Sequence, residues 1–279
     1  MKLPAIDKTR VRAVSEKLSL PLRQGLRRTS GNVPGSNAGS SIDFQDHRPY
    51  VPGDDPRHID WHAYARSGQY TMKLYREEVR PLVDVAVDAS ASMFVEEAKA
   101  RRTLELVHFC SESAMRAGAA LRVFWVGSAE VSVFEPGADS LTIPAGDGPP
   151  AVDRIPWRPG SLRVLVSDLL FPAAPSSLLM PLLSSGGRVI FLIPFSASEE
   201  DPDWLGNTEL LDAENGAKAD HFFRAEDLRR YHDAYRNHFT IWQTTARGHG
   251  VPFARIPPQG SLEEAFSFSA IREGAVVLG

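Results

Sequence analysis

Leu82-Val83-Asp84-Val85-Ala86-Val87-Asp88-Ala89-Ser90-Ala91-Ser92-Met93 is the stretch that decides the fold. Val83, Val85 and Val87 make an apolar run that predicts a buried strand, and Asp88 stands where the run stops. An acid followed at alternate positions by two hydroxyls, Ser90 and Ser92, puts three hard oxygen ligands on one loop at the carboxyl end of a strand. Magnesium or manganese is held by such donors, with water completing the octahedron. The expectation is an α/β protein with an open sheet and a divalent-cation site on one edge.

Working outward toward the C-terminus, Glu97 to Arg116 reads as a long helix with an inner stripe of Leu104, Val107, Cys110 or Ser111, and Ala114, which leaves His108 on a solvated face. Leu121 to Val126 reads as a buried strand and Glu130 to Phe134 as an edge strand. Leu162-Arg163-Val164-Leu165-Val166-Ser167-Asp168 then repeats the pattern of an apolar strand ending in an acid. Two parallel strands ending in Asp88 and Asp168 bring both carboxylates to the edge where such sheets bind ligands. One carboxylate would hold the ion directly and the other through water; the plain alternative is that each acid caps a turn. A helix at 176–184 and a strand at 188–193 complete another βαβ unit. Asn215-Gly216 signals a hairpin inserted near 206–224. A helix at 225–249, a strand at 252–256 and a helix at 262–272 follow.

Working back toward the N-terminus, residues 9–23 have helix-like spacing that stops before Pro21, and 29–41 are rich in Gly, Ser, Asn and Pro. Asp55 before Pro56 is an N-cap with proline in the first helical position, which predicts a helix from about Pro56 to Arg66 ended by Gly68. Tyr70, Met72 and Leu74 alternate as in a strand. The chain therefore divides into an N-terminal extension, 1–82, and a domain, 83–279. The extension's Arg48, Tyr50, Asp54, Asp55, Arg57, Asp60, Trp61 and Arg66 serve either as a partner-docking surface or as a structural network pinning the extension to the sheet. His58 and His62, one helical turn apart with Asp54 or Asp55 nearby, have spacing that zinc tolerates, although surface histidines explain them more simply.

The motif Arg48-Pro49-Tyr50-Val51-Pro52-Gly53-Asp54-Asp55-Pro56-Arg57 with Ile59-Asp60-Trp61 and Ala65-Arg66, followed by Asp88-Ala89-Ser90-Ala91-Ser92, resembles the domain of unknown function 58 family over about residues 35–272. The resemblance implies a von Willebrand factor type A-like, Rossmann-like, mostly parallel sheet flanked by helices, with a metal-ion-dependent adhesion site on its upper edge. It also implies a bacterial or archaeal origin and a MoxR-type AAA+ ATPase partner in assembly, maturation or stress response. Full adhesion sites add a threonine from a loop between the two acids. Residues 137–150 offer only Thr142, in a run that reads as a strand, so the expected site is partial: Asp88, Ser90, Ser92 and Asp168 with Mg2+ or Mn2+. In such sites a carboxylate from the partner supplies the missing ligand.

Composition narrows the function. The chain has 279 residues and a formal net charge of −4, which argues against a general nucleic-acid binder. Positive charge gathers in residues 1–82, with 14 Lys/Arg against 9 Asp/Glu, leaving the rest acidic. The single cysteine, Cys110, excludes an internal disulfide and suits a reducing cytosol; no apolar run reaches membrane-span length. A cytoplasmic, non-enzymatic interaction module that recruits a client protein is the expected function. The alternative is a metal-dependent hydrolase using Asp88 and Asp168, but no Walker-type lysine loop and no GxSxG elbow accompanies it.

Overall fold

Alternation along the strand Leu82–Asp88 decides how the sheet is covered, since Val83, Val85 and Val87 belong to one buried cluster and Ala86 to another. The structure, a computed structural model, describes residues 3–22, 42–77, 80–134, 148–213 and 216–279. Thr142 and the hairpin's Asn215 lie outside the described residues.

In chain order the elements are α1 (Lys8–Lys17), β1 (Leu18–Ser19), β2 (Ile42–Pro49), α2 (Trp61–Ser67), β3 (Thr71–Glu77), β4 (Leu82–Asp88), α3 (Glu97–Arg116), β5 (Ala120–Val126), β6 (Val131–Val133), β7 (Leu162–Val166), α4 (Pro175–Leu183), β8 (Arg188–Pro194), α5 (Ala197–Glu200), β9 (Gly206–Leu211), β10 (Lys218–Phe223), α6 (Ala225–Gly248), β11 (Phe253–Ile256), α7 (Leu262–Phe268) and β12 (Val277–Leu278). They fall into two units, Met1–Arg23 with Pro81–Gly279, and Gln24–Arg80. Here residues 3–22 are grouped with the sheet, whereas the sequence reading places them in the extension.

The larger unit holds a six-stranded sheet in the order β11-β8-β7-β4-β5-β6, parallel throughout except for β6, which runs antiparallel to β5. This is the expected mostly parallel α/β architecture with an inserted hairpin, β9 and β10. The chain goes from β4 to β5 on one side and returns through β7 on the other, so β4 is where the strand order reverses. In open α/β sheets ligands bind beyond the carboxyl ends of the strands at such a switch point.

Helices α1, α3 and α7 cover the valine face of β4, and α4 and α6 cover the other. Because α1 places Val11 and Val14 in the same cluster as Leu106 and Phe109, α3 is buried around more of its circumference than a one-sided helix. His108, expected on a solvated face, is accordingly half-buried beside Glu112, and burial lowers its pKa despite the opposing charge of Glu112. α1 ends at Lys17 rather than running to Pro21. Its continuation pairs Leu18 with Leu278 and Ser19 with Val277, and Leu20 N–H donates to Ser113 Oγ at 2.7 Å.

The smaller unit pairs β2 with β3 antiparallel and carries α2. The single helix expected from Pro56 to Arg66 is instead two pieces, a 3₁₀ turn at Pro56–His58 and α2. The break falls at Ile59, which bridges to Met72, and at Asp60, whose extended backbone lets its carboxylate cap α2 through His62 N–H and Ala63 N–H. Asp55 does cap the first piece and Gly68 ends the second with φ 69°. Among the described residues no helix is long and apolar enough to cross a membrane.

Candidate functional site

Asp88 is the last residue of β4 and its side chain is buried, 2% exposed. Its two oxygens have separate jobs: Oδ1 accepts from Ser90 N–H at 2.9 Å, folding the loop into an Asx turn, and Oδ2 accepts from Ser167 Oγ at 2.6 Å. That turn sends the chain into a 3₁₀ turn, Ala91–Met93, and brings the hydroxyls of Ser90 and Ser92 within 3.1 Å of each other.

Asp168, two residues after β7, is built the same way. Its Oδ1 accepts from Leu170 N–H at 3.0 Å, while Oδ2 accepts from Ser92 Oγ at 3.2 Å. Leu169 between them sits at φ 60°, a left-handed conformation that a bulky residue reaches only where its surroundings enforce it. Here the side chain is fully buried, its N–H is held by Ser167 Oγ, and its carbonyl meets His238 Nε2 at 2.8 Å. The four residues predicted for the edge, Asp88, Ser90, Ser92 and Asp168, are thus brought together by two Asx turns facing each other across the switch point.

Three participants were absent from the sequence-derived set: Ser167, Lys99 and Glu199. Lys99, at the start of α3, is 1% exposed, and its ammonium donates to Asp168 Oδ2 at 2.6 Å and Glu199 Oε1 at 2.5 Å. Glu199 is held in turn by a capping box at α5, its Oε2 accepting from Ser196 N–H, and its carbonyl accepts from the Tyr231 hydroxyl at 2.5 Å. Burial works against the charged form of Lys99, but the carboxylates of Asp168 and Glu199 outweigh it and hold the ammonium above its ordinary value. For Asp88 burial and the neighbouring Asp168 charge dominate over the hydrogen bonds from Ser167 and Ser90, pushing the carboxyl up to about 6.

A pocket of about 220 Å³ opens over this edge, lined by Ser90, Ser92, Asp168, Gly148, Phe171 and, from the hairpin, Asp212 among others. Neighbouring ligands of an octahedral magnesium ion, with bonds of about 2.1 Å, stand about 3.0 Å apart. The Ser90 and Ser92 hydroxyl oxygens already have that separation, and Asp168 Oδ2 lies 3.2 Å from the second. The donor set therefore suits a hard divalent cation held by Ser90, Ser92 and Asp168, with Asp88 behind them. Among the described residues no three His, Cys, Asp or Glu side chains gather as a metal-holding group, so hydroxyls and water carry much of any such coordination. Asp54 and Asp55, the acids that the sequence places near His58 and His62, are engaged by Arg48 and Arg57.

In the smaller unit Arg48 makes a bidentate pair with Asp54, both contacts 2.7 Å, and Arg57 pairs with Asp55 at 2.8 Å. The arginine hydrogen bonds lower the pKa of Asp54 and bring Asp55 down to about 2. These pairs are internal to the unit. Tyr64 and Tyr70 stack at 4.5 Å, with Trp61 edge-on to both and Tyr50 edge-on to Tyr70. Trp61 and Tyr70 are 58% and 50% exposed, and Arg66 is exposed.

Residues 46–141 match the family described as "Protein of unknown function DUF58". The match covers about a third of the chain and takes in the motif from Arg48 to Trp61, the DxSxS loop and Lys99. It ends before Asp168 and the hairpin. Two solved structures are similar at low identity. One is the conserved hypothetical protein BatB from Bacteroides thetaiotaomicron, with 12% identity over 69% of this chain and 98% of that one, TM-score 0.35. The other is an aerotolerance-related membrane protein from Bacteroides fragilis NCTC 9343 with multiple mutations to serines, with 14% identity over 70% and 98%, TM-score 0.34. No curated protein matches.

Proposed function

We propose that this chain is a non-enzymatic recruitment module whose DxSxS edge binds a carboxylate of a protein partner through a divalent cation. The observation that supports the reading is the convergence of the Ser90 and Ser92 hydroxyls with Asp168 at the mouth of an open pocket on the switch-point strand. Two hydroxyls and one carboxylate leave coordination positions for water and for an acid presented from outside. When bound, Mg2+ or Mn2+ supplies the positive charge that such an acid needs. The chain's own residues fix the donors: the Asp88 and Asp168 turns hold the loop shape, and Ser167 ties one turn to the other. The resemblance of the Arg48 to Trp61 motif and the DxSxS loop to the unknown-function family points to a MoxR-type AAA+ ATPase and its client as the partners. The exposed Trp61 and Tyr70 of the smaller unit offer a second contact surface.

Calorimetric titration of Mn2+ into the chelator-stripped chain tests the reading, with and without a short acidic peptide as the carboxylate donor. Binding that tightens when the peptide is present, and that Ser92→Ala abolishes, is the expected result. Absence of Mn2+ binding under both conditions sinks it. Metal-dependent turnover of a generic phosphate ester, lost in Asp168→Asn, would instead favour the hydrolase.

A further inference from the structure

Any cation drawn to the DxSxS edge has to share it with a positive charge already built into the fold. Lys99 approaches Asp168 from the interior, and the oxygen it reaches, Oδ2, is the one that accepts from Ser92. The lysine is therefore one carboxylate away from the two hydroxyls that line the pocket. It is also firmly held, since it bridges to Glu199, and Glu199 is fixed by its capping box with Ser196 and by Tyr231. An ammonium so placed does two things. It compensates two carboxylates that would be costly to bury alone, and it repels a second cation placed on the far side of Asp168.

We propose that Lys99 is a resident cation that sets the divalent affinity of this edge: it neutralises Asp168 from within and holds metal binding weak until a partner's carboxylate restores negative charge. The inference rests on the metal-dependent reading above and assigns Lys99 a positioning and tuning role at that same site. It gives the edge a preference for the ternary state, because metal alone has to share Asp168 with the Lys99 ammonium, whereas an incoming acid brings a carboxylate that the lysine does not already hold. In the absence of any cation the same lysine keeps Asp168 and Glu199 from facing each other unpaired.

The test replaces the charge and asks whether an added ion takes its place. Mn2+ is titrated into the full chain, stripped with chelator, as wild type, Lys99→Met, Lys99→Gln and Lys99→Arg, with thermal midpoints followed alongside. Loss of the charge in Lys99→Met and Lys99→Gln is expected to tighten Mn2+ at least ten-fold and to make their midpoints rise with Mn2+, while Lys99→Arg stays at the wild-type affinity. Adding Ser92→Ala to Lys99→Gln is expected to remove the gained binding, which locates it at the DxSxS edge. A wild type that binds Mn2+ with an affinity unchanged in folded Lys99→Gln overturns the inference and leaves the metal reading standing. Absence of Mn2+ binding in every variant overturns both. If Lys99→Met and Lys99→Gln fold only in the presence of Mn2+, the inference holds; if they remain unfolded in millimolar Mn2+ as well, the lysine is needed for packing rather than charge, and the inference fails.

Discussion

Replacing Asp88 by asparagine should stabilise the chain at neutral pH while damaging its edge. The wild-type carboxyl is buried beside Asp168, and its pKa lies at about 6 against an ordinary 3.8. The folded state therefore takes up a proton more readily than the unfolded state. The resulting stability is fully present below about 3.8 and is lost as the pH rises through about 6. By pH 7 the loss amounts to about 3 kcal/mol, and at pH 5 to about half of that. Asparagine does not ionise, so it escapes this cost at both pH values. Its amide oxygen can accept from Ser90 N–H, but its NH₂ then faces Ser167 Oγ, which already accepts from Leu169 N–H and must turn its own hydrogen away. That mismatch costs about 1 kcal/mol. The expected net gain is about 2 kcal/mol near pH 7, shrinking by about 1 kcal/mol near pH 5. Urea denaturation in excess chelator, wild type beside Asp88→Asn at both pH values, measures the difference directly, and titrating groups distant from Asp88 cancel in the comparison. A difference that does not change between the two pH values, or a variant less stable than wild type near neutrality, refutes the assignment of a strained buried charge to Asp88.

At the opposite end of β4, Asp84 is completely buried between Arg122 and Arg158, accepting from both guanidinium groups and from Arg158 N–H. Asp84→Ala should cost about 3 kcal/mol in urea denaturation at neutral pH, the low end for breaking a buried pair because both arginines keep some contact with water. Burial opposes ionisation of Asp84, yet the two arginines outweigh it and lower its pKa, so its contribution persists above 3.8 and fades as the pH falls through its folded value. The penalty of Asp84→Ala should therefore diminish in acid, and a penalty that grows below pH 4 would contradict this. Gly187→Ala should destabilise by about 1–3 kcal/mol, since a Cβ there would lie 2.5 Å from the Arg163 guanidinium carbon, and that side chain is fully buried and bonded to the Pro181 and Leu182 carbonyls. An unchanged thermal midpoint would show that Arg163 has room to move.

The sheet was legible because parallel strands buried on both faces leave near-continuous apolar runs, and β4, β5, β7 and β8 are such runs. What misled the sequence reading was local competition. A proline-led turn and a helical period at 56–66 predict one helix, yet Asp60 gains more by capping a second one, with Ile59 drawn into a bridge to Met72. The burial of α1 was hidden for a related reason: Val11 and Val14 give only a narrow apolar stripe, and its partner surface on α3 comes from residues nearly a hundred positions away.

The site divides along the same line. Asp88 and Asp168 were readable because each ends an apolar strand, and parallel pairing of β4 with β7 then places both at one edge. Lys99 was not readable in that way, although it carries a signal in retrospect: it falls on one stripe with Thr103, Leu106 and Cys110, all buried, where a lysine needs a buried partner to remain charged. The stripe says that a partner exists and not which one, because Glu199 comes from a short helix after β8 a hundred residues later. Hydroxyl spacing and strand ends thus advertise where a cation could bind, whereas the charge that governs how tightly it binds is assembled from α3, the β7 loop and α5. An electrostatic setting made by three distant segments can be altered at Lys99 or Glu199 without touching the DxSxS sequence, so chains sharing that motif should differ in divalent affinity according to what stands opposite the second acid.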